Sequence, residues 1–463
     1  FADNYGFGND ETMDGRDLLQ PRIGFNYDFS DLVTFHGGLG LFSGGNPNVW
    51  VSNSYSNNGV TLFECRNRGR TSDCVGDGSF TNINDFTYGG GSGQPFIDVP
   101  DEMIDAVANA SGQGSVNAID PDFDIPSEWK FALGTVINYD FENKYLGDNW
   151  TFMADFLYSK TNESAIVVPI GYVQTGTAPD GRPLYGGNSN DFLLTNADDK
   201  GETFVYSAVV QKDYGNGIDW SLAYAYTDSQ DTNPMTSSVA FSNFSNFATS
   251  DPVNVKTATS DYEIPHRFTA RLNIEKEFVT DYATRFTLVG TANQGAPFSY
   301  TFAYNGIIED PYRSSRQLAY IPTGANDPLI SANSDADAVA ELMEFINGND
   351  YLSDNKGSIA ERNGSHDDWW TKFDLRISQD LPGFRENDRS QAFLVIENLG
   401  NLINDDWGIL REHGFPGNAE LYSISGIENG QYVIDGFGGN PDRDSVLLDA
   451  SLWEVRFGLK YEF

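Results

Sequence analysis

The feature that most constrains the fold is an alternation of apolar and polar residues that recurs in segments along the chain. From Trp129 to Phe141, mostly apolar side chains take every second position, and small, polar or charged residues stand between them. The last segment, from Trp453 to Phe463, follows the same rule. Because successive side chains of a strand point to opposite faces, this period of two predicts strands with one apolar and one polar face.

Eleven segments pass this test, and they account for most of the regular structure that the sequence predicts. The predicted strands span residues 18–29, 32–43, 127–141, 150–161, 202–214, 218–230, 264–278, 284–298, 368–380, 389–401 and 451–463.

The connections between these strands alternate between short turns and long polar stretches such as 44–126 and 299–367. A soluble β-sandwich gives no reason for this alternation, whereas an outer-membrane barrel has tight periplasmic turns and large extracellular loops. The sequence therefore predicts an all-β protein, an antiparallel transmembrane β-barrel with long extracellular loops. No run of 18 apolar residues occurs, so no helical span is expected, but barrel strands would escape that criterion.

Aromatic residues stand near the ends of several predicted strands, where a barrel carries girdles at the two membrane interfaces. In a soluble barrel the same residues would be ordinary core. The expected girdle residues are Trp150, Tyr158, Trp220, Tyr226, Trp369 and Trp453.

Two further features lie in the connection 299–367. Residues Asp335 to Tyr351 place apolar side chains at near-helical spacing, which predicts a short helix packed beneath a loop. The aromatic residues Tyr300, Phe302 and Tyr304 either contact a ligand or, as we favour, continue a strand above the membrane.

The formal net charge of -39, from 67 acidic and 28 basic residues, argues against nucleic-acid binding, which needs a basic surface. Aromatic residues make up 14% of the chain and also argue against a wholly disordered chain. The charge is interpreted as solvated loops and lumen, and the alternative is a surface that attracts divalent cations or cationic solutes.

The two cysteines, Cys65 and Cys74, lie in the short polar sequence CRNRGRTSDC. A disulfide is favoured over two free thiols. It would contribute roughly 2–3 kcal/mol on the chain-entropy model and requires an oxidising compartment. The first residues, FADNYGFGND, do not form a signal peptide.

Catalytic and metal-binding patterns are absent from the sequence. The four histidines, His36, His266, His366 and His413, form no metal-ligand spacing and no triad-like arrangement. Two acidic groups, Asp120, Asp122, Asp124 and Asp442, Asp444, lack the Gly and final Glu of a calcium loop, so calcium binding there is the less favoured alternative. We expect no enzyme activity, no cofactor and no resident metal.

The last eight residues, RFGLKYEF, resemble the assembly signal of bacterial outer-membrane barrels. The matching positions are Arg456, Gly458, Tyr461 and Phe463. The resemblance implies that the barrel-assembly machinery recognises them through strand pairing, with the glycine allowing close backbone approach.

Further stretches resemble TonB-dependent receptors, namely WTKFDLRISQDLP at 370–382 and FLVIENLGNLIND at 393–405. The start, FGNDETMDGRDLLQPRIGFNYDF, is similar to the Oar-like branch of that family. The resemblance implies a barrel of about 22 strands, a plug domain and a partner TonB. Eleven strands would be half of such a barrel, and bacterial single-chain barrels have even strand numbers, so residues 1–463 are expected to be its C-terminal part, with N-terminal strands and plug missing.

The leading functional hypothesis is an energy-coupled outer-membrane receptor that takes up a ligand through a plugged barrel. Its expected partners are outer-membrane lipid and lipopolysaccharide, the barrel-assembly machinery, TonB and a surface lipoprotein. The alternative is a structural barrel that serves as a scaffold in a surface or secretion complex. An outer-membrane hydrolase would need a Ser/His constellation, which the sequence does not supply.

Overall fold

The structure is a computed structural model of the chain. It describes residues 2–44, 47–59, 64–67, 72–75, 104–105, 108–109, 115–141, 143, 145–187, 191–279, 281–303, 316–385, 388–438, 441 and 444–463.

Eleven long strands form one open antiparallel sheet in chain order, which we call the wall. β1 and β11 lie at its two edges, and the sheet does not close into a barrel. The wall strands are β1 (Arg22–Ser30), β2 (Val33–Phe42), β3 (Ser127–Tyr139), β4 (Trp150–Glu163), β5 (Glu202–Asp213), β6 (Ile218–Asp231), β7 (His266–Val279), β8 (Tyr282–Asn293), β9 (Trp370–Pro382), β10 (Arg389–Glu397) and β11 (Glu454–Glu462). Each corresponds to one predicted strand, so the antiparallel fold prediction is confirmed.

Four strand ends differ from the prediction by three residues or more. β1 begins at Arg22 rather than 18, and the other three differences have local reasons. β8 stops at Asn293 rather than 298, and Gly295 then packs so closely against Asp367 that a Cβ would lie 2.5 Å from the Asp367 carbonyl carbon. β10 stops at Glu397 because Asn398 adopts a left-handed conformation with φ 50°. β11 begins at Glu454 rather than 451, since a short helix precedes it.

The predicted alternation of connections is confirmed. Short turns at 31–32, 140–149, 214–217, 280–281 and 383–388 lie at one end of the wall, and the connections 43–126, 164–201, 232–265, 294–369 and 398–453 lie at the other. We call these the short-turn end and the long-connection end.

The long connections contain regular structure of their own. Their strands are Glu64–Asn67, Ser72–Val75, Asn117–Ile119, Ala165–Pro169, Tyr172–Thr177, Pro183–Gly187, Phe192–Asn196, Ala258–Thr259, Pro297–Phe302, Ser365–His366, Arg411–Glu412, Asn418–Glu428, Gln431–Phe437 and Ser445–Val446. The helices described there or near the N-terminus are Ala2–Tyr5, Asn48–Ser56, Ala240–Ser245, Ala336–Gly348, Asp350–Asp354, Leu399–Ile403 and Leu448–Ser451. Within the described ranges, none of the helices combines the length and apolarity that crossing a bilayer requires.

The larger hydrophobic core of the molecule lies in these connections rather than in the wall. Pro297–Phe302 pairs in parallel with Asn418–Glu428, and helix Ala336–Gly348 packs against Gln431–Phe437. Asp335 caps that helix by accepting hydrogen bonds from two backbone amides, which satisfies donors that the helix leaves unpaired. The helix predicted between Asp335 and Tyr351 is thereby confirmed.

A second, smaller core joins other connections. Phe123, Phe192 and Phe244 are buried together, and the parallel pairing of Asn117–Ile119 with Phe192–Asn196 brings two connections side by side. The described parts of the long connections are therefore folded rather than irregular. They fold into a layer with buried cores, which we call the loop layer.

Candidate membrane wall and loop layer

One face of the wall is continuously apolar. Cross-strand partners point to the same side of an antiparallel sheet, so all residues in a row of successive partners lie on the same face. The row through the middle of the wall carries no charge and consists of Ile137, Phe152, Val210, Leu222, Ala270, Gly290 and Phe373. Leu222 is 50% exposed and Phe373 is 44% exposed. Large apolar side chains left open to the surroundings in a continuous sheet face are suited to lipid rather than water.

Two rows of aromatic rings border this apolar face. At the long-connection end, ring centres are 4.9 Å apart for Phe156 and Tyr206, 6.3 Å for Tyr206 and Tyr226, and 5.2 Å for Tyr226 and His266. Trp369 continues the row at 6.2 Å from His266. Neighbouring rings across adjacent strands form the girdle expected at a membrane interface.

The second row stands at the short-turn end, where Trp150 lies 5.9 Å from Phe141 and 5.7 Å from Trp220. Along β6 the two rows are six residue steps apart, from Trp220 to Tyr226, or about 20 Å of extended strand. With the strand tilt of 35–45° of outer-membrane barrels this is about 15 Å along the membrane normal, which fits within their apolar band of about 25 Å.

Lys212 is a charged residue at the border of the otherwise apolar face. It pairs with Trp150 and Trp220 in the short-turn row, and its side chain is buried. The ammonium group reaches the carbonyl of Asp148 in the adjacent turn and lies 5.4 Å from the centre of the Trp150 ring. The lysine therefore carries its charge to the edge of the band, as long cationic side chains do at membrane interfaces.

The opposite face of the wall is polar and carries ion pairs between neighbouring strands. Arg271 lies 3.2 Å from Asp219, and Arg285 lies 2.6 Å from Glu275 and 2.8 Å from Asp380. Lys130, Asp219, Lys372 and Asp374 share this face, opposite Phe131, Leu133, Trp220, Leu222, Phe373 and Leu375. Charges that are half exposed and paired across strands fit a surface that faces water or another polar domain.

Another side-chain contact on this face reaches across a whole strand. His36 on β2 and Asp155 on β4 are 2.9 Å apart, and Gly134 on β3 lies between them. A Cβ at Gly134 would collide with both side chains. The glycine is thus required for direct contact between a histidine and a carboxylate two strands apart.

Buried arginines tie the loop layer together. Arg316 donates a hydrogen bond to the carbonyl of Phe244 and lies over its ring at 4.1 Å. Arg362 donates to the carbonyl of Thr232 at 2.8 Å and to the carboxylate of Asp231 at 2.8 Å. Both bind the connection 294–369 to the connection that follows β6.

Other contacts bring the remaining connections into the same layer. Arg182 pairs with Asp180 at 2.7 Å, and both side chains are only 1% exposed. Arg182 also donates to Gln317 at 3.3 Å, which fixes the connection 164–201 to the larger core. Trp50, from the first long connection, donates to the carbonyl of Ser237 at 3.1 Å.

Tyr300 and Phe302 are buried in the larger core, at 1% exposure each. They do not extend β8, because their strand pairs with Asn418–Glu428 instead of with the wall. Their burial also contradicts direct contact with a ligand. Tyr304 lies outside the described residues.

Polar groups in this core are held by hydrogen bonds. The side chain of Asp327 accepts from Tyr320 at 3.0 Å and from the backbone amide of Thr323 at 2.7 Å. Burial alone would raise the pKa of Asp327, but the hydrogen bonds that it accepts lower it below the usual range. Burial and the same hydrogen bond raise the pKa of Tyr320.

The stretch FLVIENLGNLIND, whose strand end carried the family resemblance, folds around Asn398. Its fully buried side chain donates to the carbonyls of Gly408, at 2.9 Å, and Ser451, at 2.7 Å. Its carbonyl oxygen caps the helix Leu399–Ile403. An asparagine suits this position because it tolerates the left-handed conformation and both donates and accepts.

The four residues of the predicted assembly signal all lie in or directly after β11, at an edge of the wall. Arg456 pairs with Glu397 at 3.0 Å, and Gly458 faces Phe393. The hydroxyl of Tyr461 contacts the carboxylate of Asp388, and Phe463 is 98% exposed. Recognition of these residues by the assembly machinery stays a prediction.

Cys65 and Cys74 are directly opposite each other in the antiparallel pair formed by Glu64–Asn67 and Ser72–Val75. Opposed Cα atoms in such a pair are about 4.5–5.5 Å apart, within the range that a disulfide bridges. The two side chains lie outside the described residues, so the disulfide stays a prediction.

The other candidate residues occupy separate places. His266 binds the Tyr224 hydroxyl at 2.9 Å, and Asp120 accepts from Thr195 at 2.6 Å. Asp442 lies outside the described residues. In the part of the chain that the structure describes, no group of three or more His, Cys, Asp or Glu side chains is arranged to hold a metal ion.

An antiparallel sheet with an apolar, ring-bordered face and a charged face defines the wall of a membrane β-barrel. The chain belongs to the outer membrane beta barrel domain family, whose sequence profile matches residues 3–398. No curated protein shows significant sequence similarity to it. Among solved structures, it is similar to the outer membrane transporter YddB from Escherichia coli, with 11% identity and a TM-score of 0.41. The similarity covers 95% of this chain and 40% of that one.

Proposed function

We propose that the chain is the wall and loop layer of a TonB-dependent outer-membrane receptor, which captures a ligand at the loop layer and passes it through the lumen. The observation that carries the proposal is the loop layer itself. Five long connections meet there, held by buried arginines such as Arg316 and Arg362, above a wall with a charged face. A receptor needs such a fixed surface, because a binding site that is already ordered loses less entropy on capturing its ligand.

The wall is consistent with this role because its charged face would line the lumen once further strands close the barrel. Polar side chains such as Asp219 and Arg271 would then contact water or a plug domain. We place outer-membrane lipid and lipopolysaccharide on the apolar face. Energy coupling would come from a plug domain that engages TonB, and assembly would depend on the barrel-assembly machinery.

The experiment compares uptake in the native bacterium with and without the full-length protein. Deleting the gene should abolish energy-dependent uptake of the ligand that co-purifies with the protein and is identified by mass spectrometry. Collapsing the proton-motive force should stop uptake but leave binding to the cell surface intact. Arg316→Ala, which loosens the loop layer, should weaken binding, whereas Lys276→Ala, at an exposed position of the short-turn end, should not.

Other outcomes would overturn the proposal. Passive flux of solutes through the purified protein in liposomes would indicate an open pore. A surface lipoprotein that co-purifies in stoichiometric amounts, without any transported ligand, would instead support the scaffold alternative.

A further inference from the structure

A buried junction in the loop layer joins two connections just before the chain enters β9. Asp367 precedes that strand, and its backbone amide donates to the carbonyl of Ala296 at 2.9 Å. The neighbouring residues Ser365–His366 pair with Pro297 and Phe298. Asp367 is thereby fixed to the segment that leaves β8.

His413, from the connection between β10 and β11, closes the junction. Its Nδ1 lies 2.7 Å from Asp367 Oδ1, and its backbone amide donates to Asp367 Oδ2 at 3.0 Å. Its Nε2 lies 3.2 Å from the carbonyl oxygen of Pro441. The ring stacks on Phe298 with centres 3.9 Å apart, and the His413 and Asp367 side chains are 7% and 3% exposed.

The two hydrogen-bond partners of the ring determine its protonation state. A carboxylate and a peptide carbonyl both accept hydrogen bonds, so each ring nitrogen must carry a hydrogen to bind both. A neutral imidazole has only one N–H, and its other nitrogen would present a lone pair to an oxygen. Between His413 and Asp367, imidazole is the stronger base and therefore holds the proton.

We propose that His413 is a pH-sensitive latch in the loop layer. Its doubly protonated ring fastens the connection 398–453 to the two ends of the connection 294–369, and loss of one proton as pH rises removes one of the ring's two hydrogen bonds and loosens that contact.

The charges around the ring favour its protonated form. Burial alone would lower the pKa of His413, but the hydrogen bond and charge of Asp367, the Pro441 carbonyl and the charge of Asp444 together raise it. The pKa of the neighbouring Glu412 carboxyl is raised by burial and by Asp367.

Further ionisable groups stand near the junction. Arg411 pairs with Asp444 at 3.2 Å and partly offsets its charge. His366, adjacent to Asp367, lies 3.6 Å from Glu263 and is a second imidazole at this place. A test must therefore distinguish His413 from His366.

The sign of the pH dependence follows from linkage. A group whose pKa is higher in the folded state stabilises that state fully below its unfolded pKa, about 6.5 for histidine, and the stabilisation is lost as pH rises through the folded pKa. The latch is therefore closed in mildly acidic surroundings and opens on the alkaline side.

Hydrogen exchange followed by mass spectrometry on the full-length protein in detergent tests the latch, at about pH 6 and about pH 9 and corrected for intrinsic exchange rates. Peptides covering 294–299 and 411–415 should lose protection several-fold at the higher pH in the wild type. His413→Gln should show low protection at both pH values. His366→Gln and His36→Gln should keep the wild-type response.

Equal corrected protection at the two pH values in the wild type would overturn the proposal, as would loss of the response in His366→Gln alone. Should His413→Gln fail to fold, Asp367→Asn provides an independent test. Removing the carboxylate charge should move the transition to lower pH, and an unchanged midpoint would contradict the latch.

Discussion

Phe393 and Gly458 face each other across β10 and β11, and the ring of Phe393 occupies the space that a Cβ at residue 458 would need. The guanidinium of Arg376 lies 4.7 Å from the centre of the same ring. The glycine of the predicted assembly signal therefore has a packing role in the folded wall. It lets an aromatic ring cover the backbone of an edge strand, an arrangement that stabilises glycine in sheets.

Gly458→Ala should destabilise the wall by about 1–3 kcal/mol, because the added methyl group displaces the Phe393 ring. The urea midpoint of the refolded full-length protein, followed by heat-modifiable migration, measures the loss. Gly24→Ala is the matched control, since a Cβ there would meet only the Gly37 carbonyl at 3.5 Å. Combining Gly458→Ala with Phe393→Ala should cost less stability than the sum of the losses in the two single variants. A combined loss greater than that sum would contradict this explanation.

Asn398→Ala should cost about 2–4 kcal/mol, since it forces alanine into a left-handed conformation, removes the side-chain donor to the Ser451 carbonyl and removes one of two donors to the Gly408 carbonyl. Tryptophan fluorescence during denaturant unfolding measures the change, because Trp370 donates to the same Gly408 carbonyl. Asn398→Gly keeps the backbone conformation and should lose less. Equal stability of the alanine variant and the wild type would refute the role assigned to this side chain.

The wall could be predicted from the sequence because its pattern is local. Each wall strand alternates on its own, as Trp220, Leu222 and Tyr224 do on β6, and neighbouring strands follow in chain order. Neither property depends on knowing a distant partner. The same local rule failed at strand ends such as Asn398, where a side chain binds the backbone and stops the strand.

The loop layer could not be predicted in the same way. Pro297–Phe302 alternates between aromatic and small polar residues, which predicts a strand but not its departure from the wall, because both faces are buried and its partner lies more than a hundred residues away in the sequence. Nothing in the sequence distinguishes Arg316 from an exposed arginine. Its buried position becomes evident only from its hydrogen bond to the carbonyl of Phe244. The helix after Asp335 could be predicted because its apolar residues recur at helical spacing.

Cys65 and Cys74 should form a disulfide in the mature protein, since they are opposed in register and the predicted compartment is oxidising. Alkylation of the denatured, non-reduced protein should label neither cysteine, and prior reduction should expose both. The reduced sample is the control for access of the reagent. Complete labelling without reduction would refute the bond.

Deleting Phe463 from the full-length protein should reduce its level in the outer membrane and leave unfolded protein in the periplasm. The reason is that an edge strand that fails to pair exposes backbone groups to lipid at several kcal/mol each. Immunoblots of fractionated cells measure this distribution. Replacing both Cys65 and Cys74 with serine should not have that effect. Normal abundance of the protein in the outer membrane after deletion of Phe463 would show that Phe463 has no role in assembly.

We expect one face of the wall to lie in lipid and the other to face water or a plug domain. Spin labels placed one at a time at residues 219 to 224 of β6, in the full-length protein without native cysteines, test this directly in lipid bilayers. Collisions with oxygen, which concentrates in lipid, should be frequent at Trp220, Leu222 and Tyr224, and collisions with a water-soluble nickel complex should be frequent at Asp219, Ser221 and Ala223. An inverted pattern, or one with no period of two, would contradict the account.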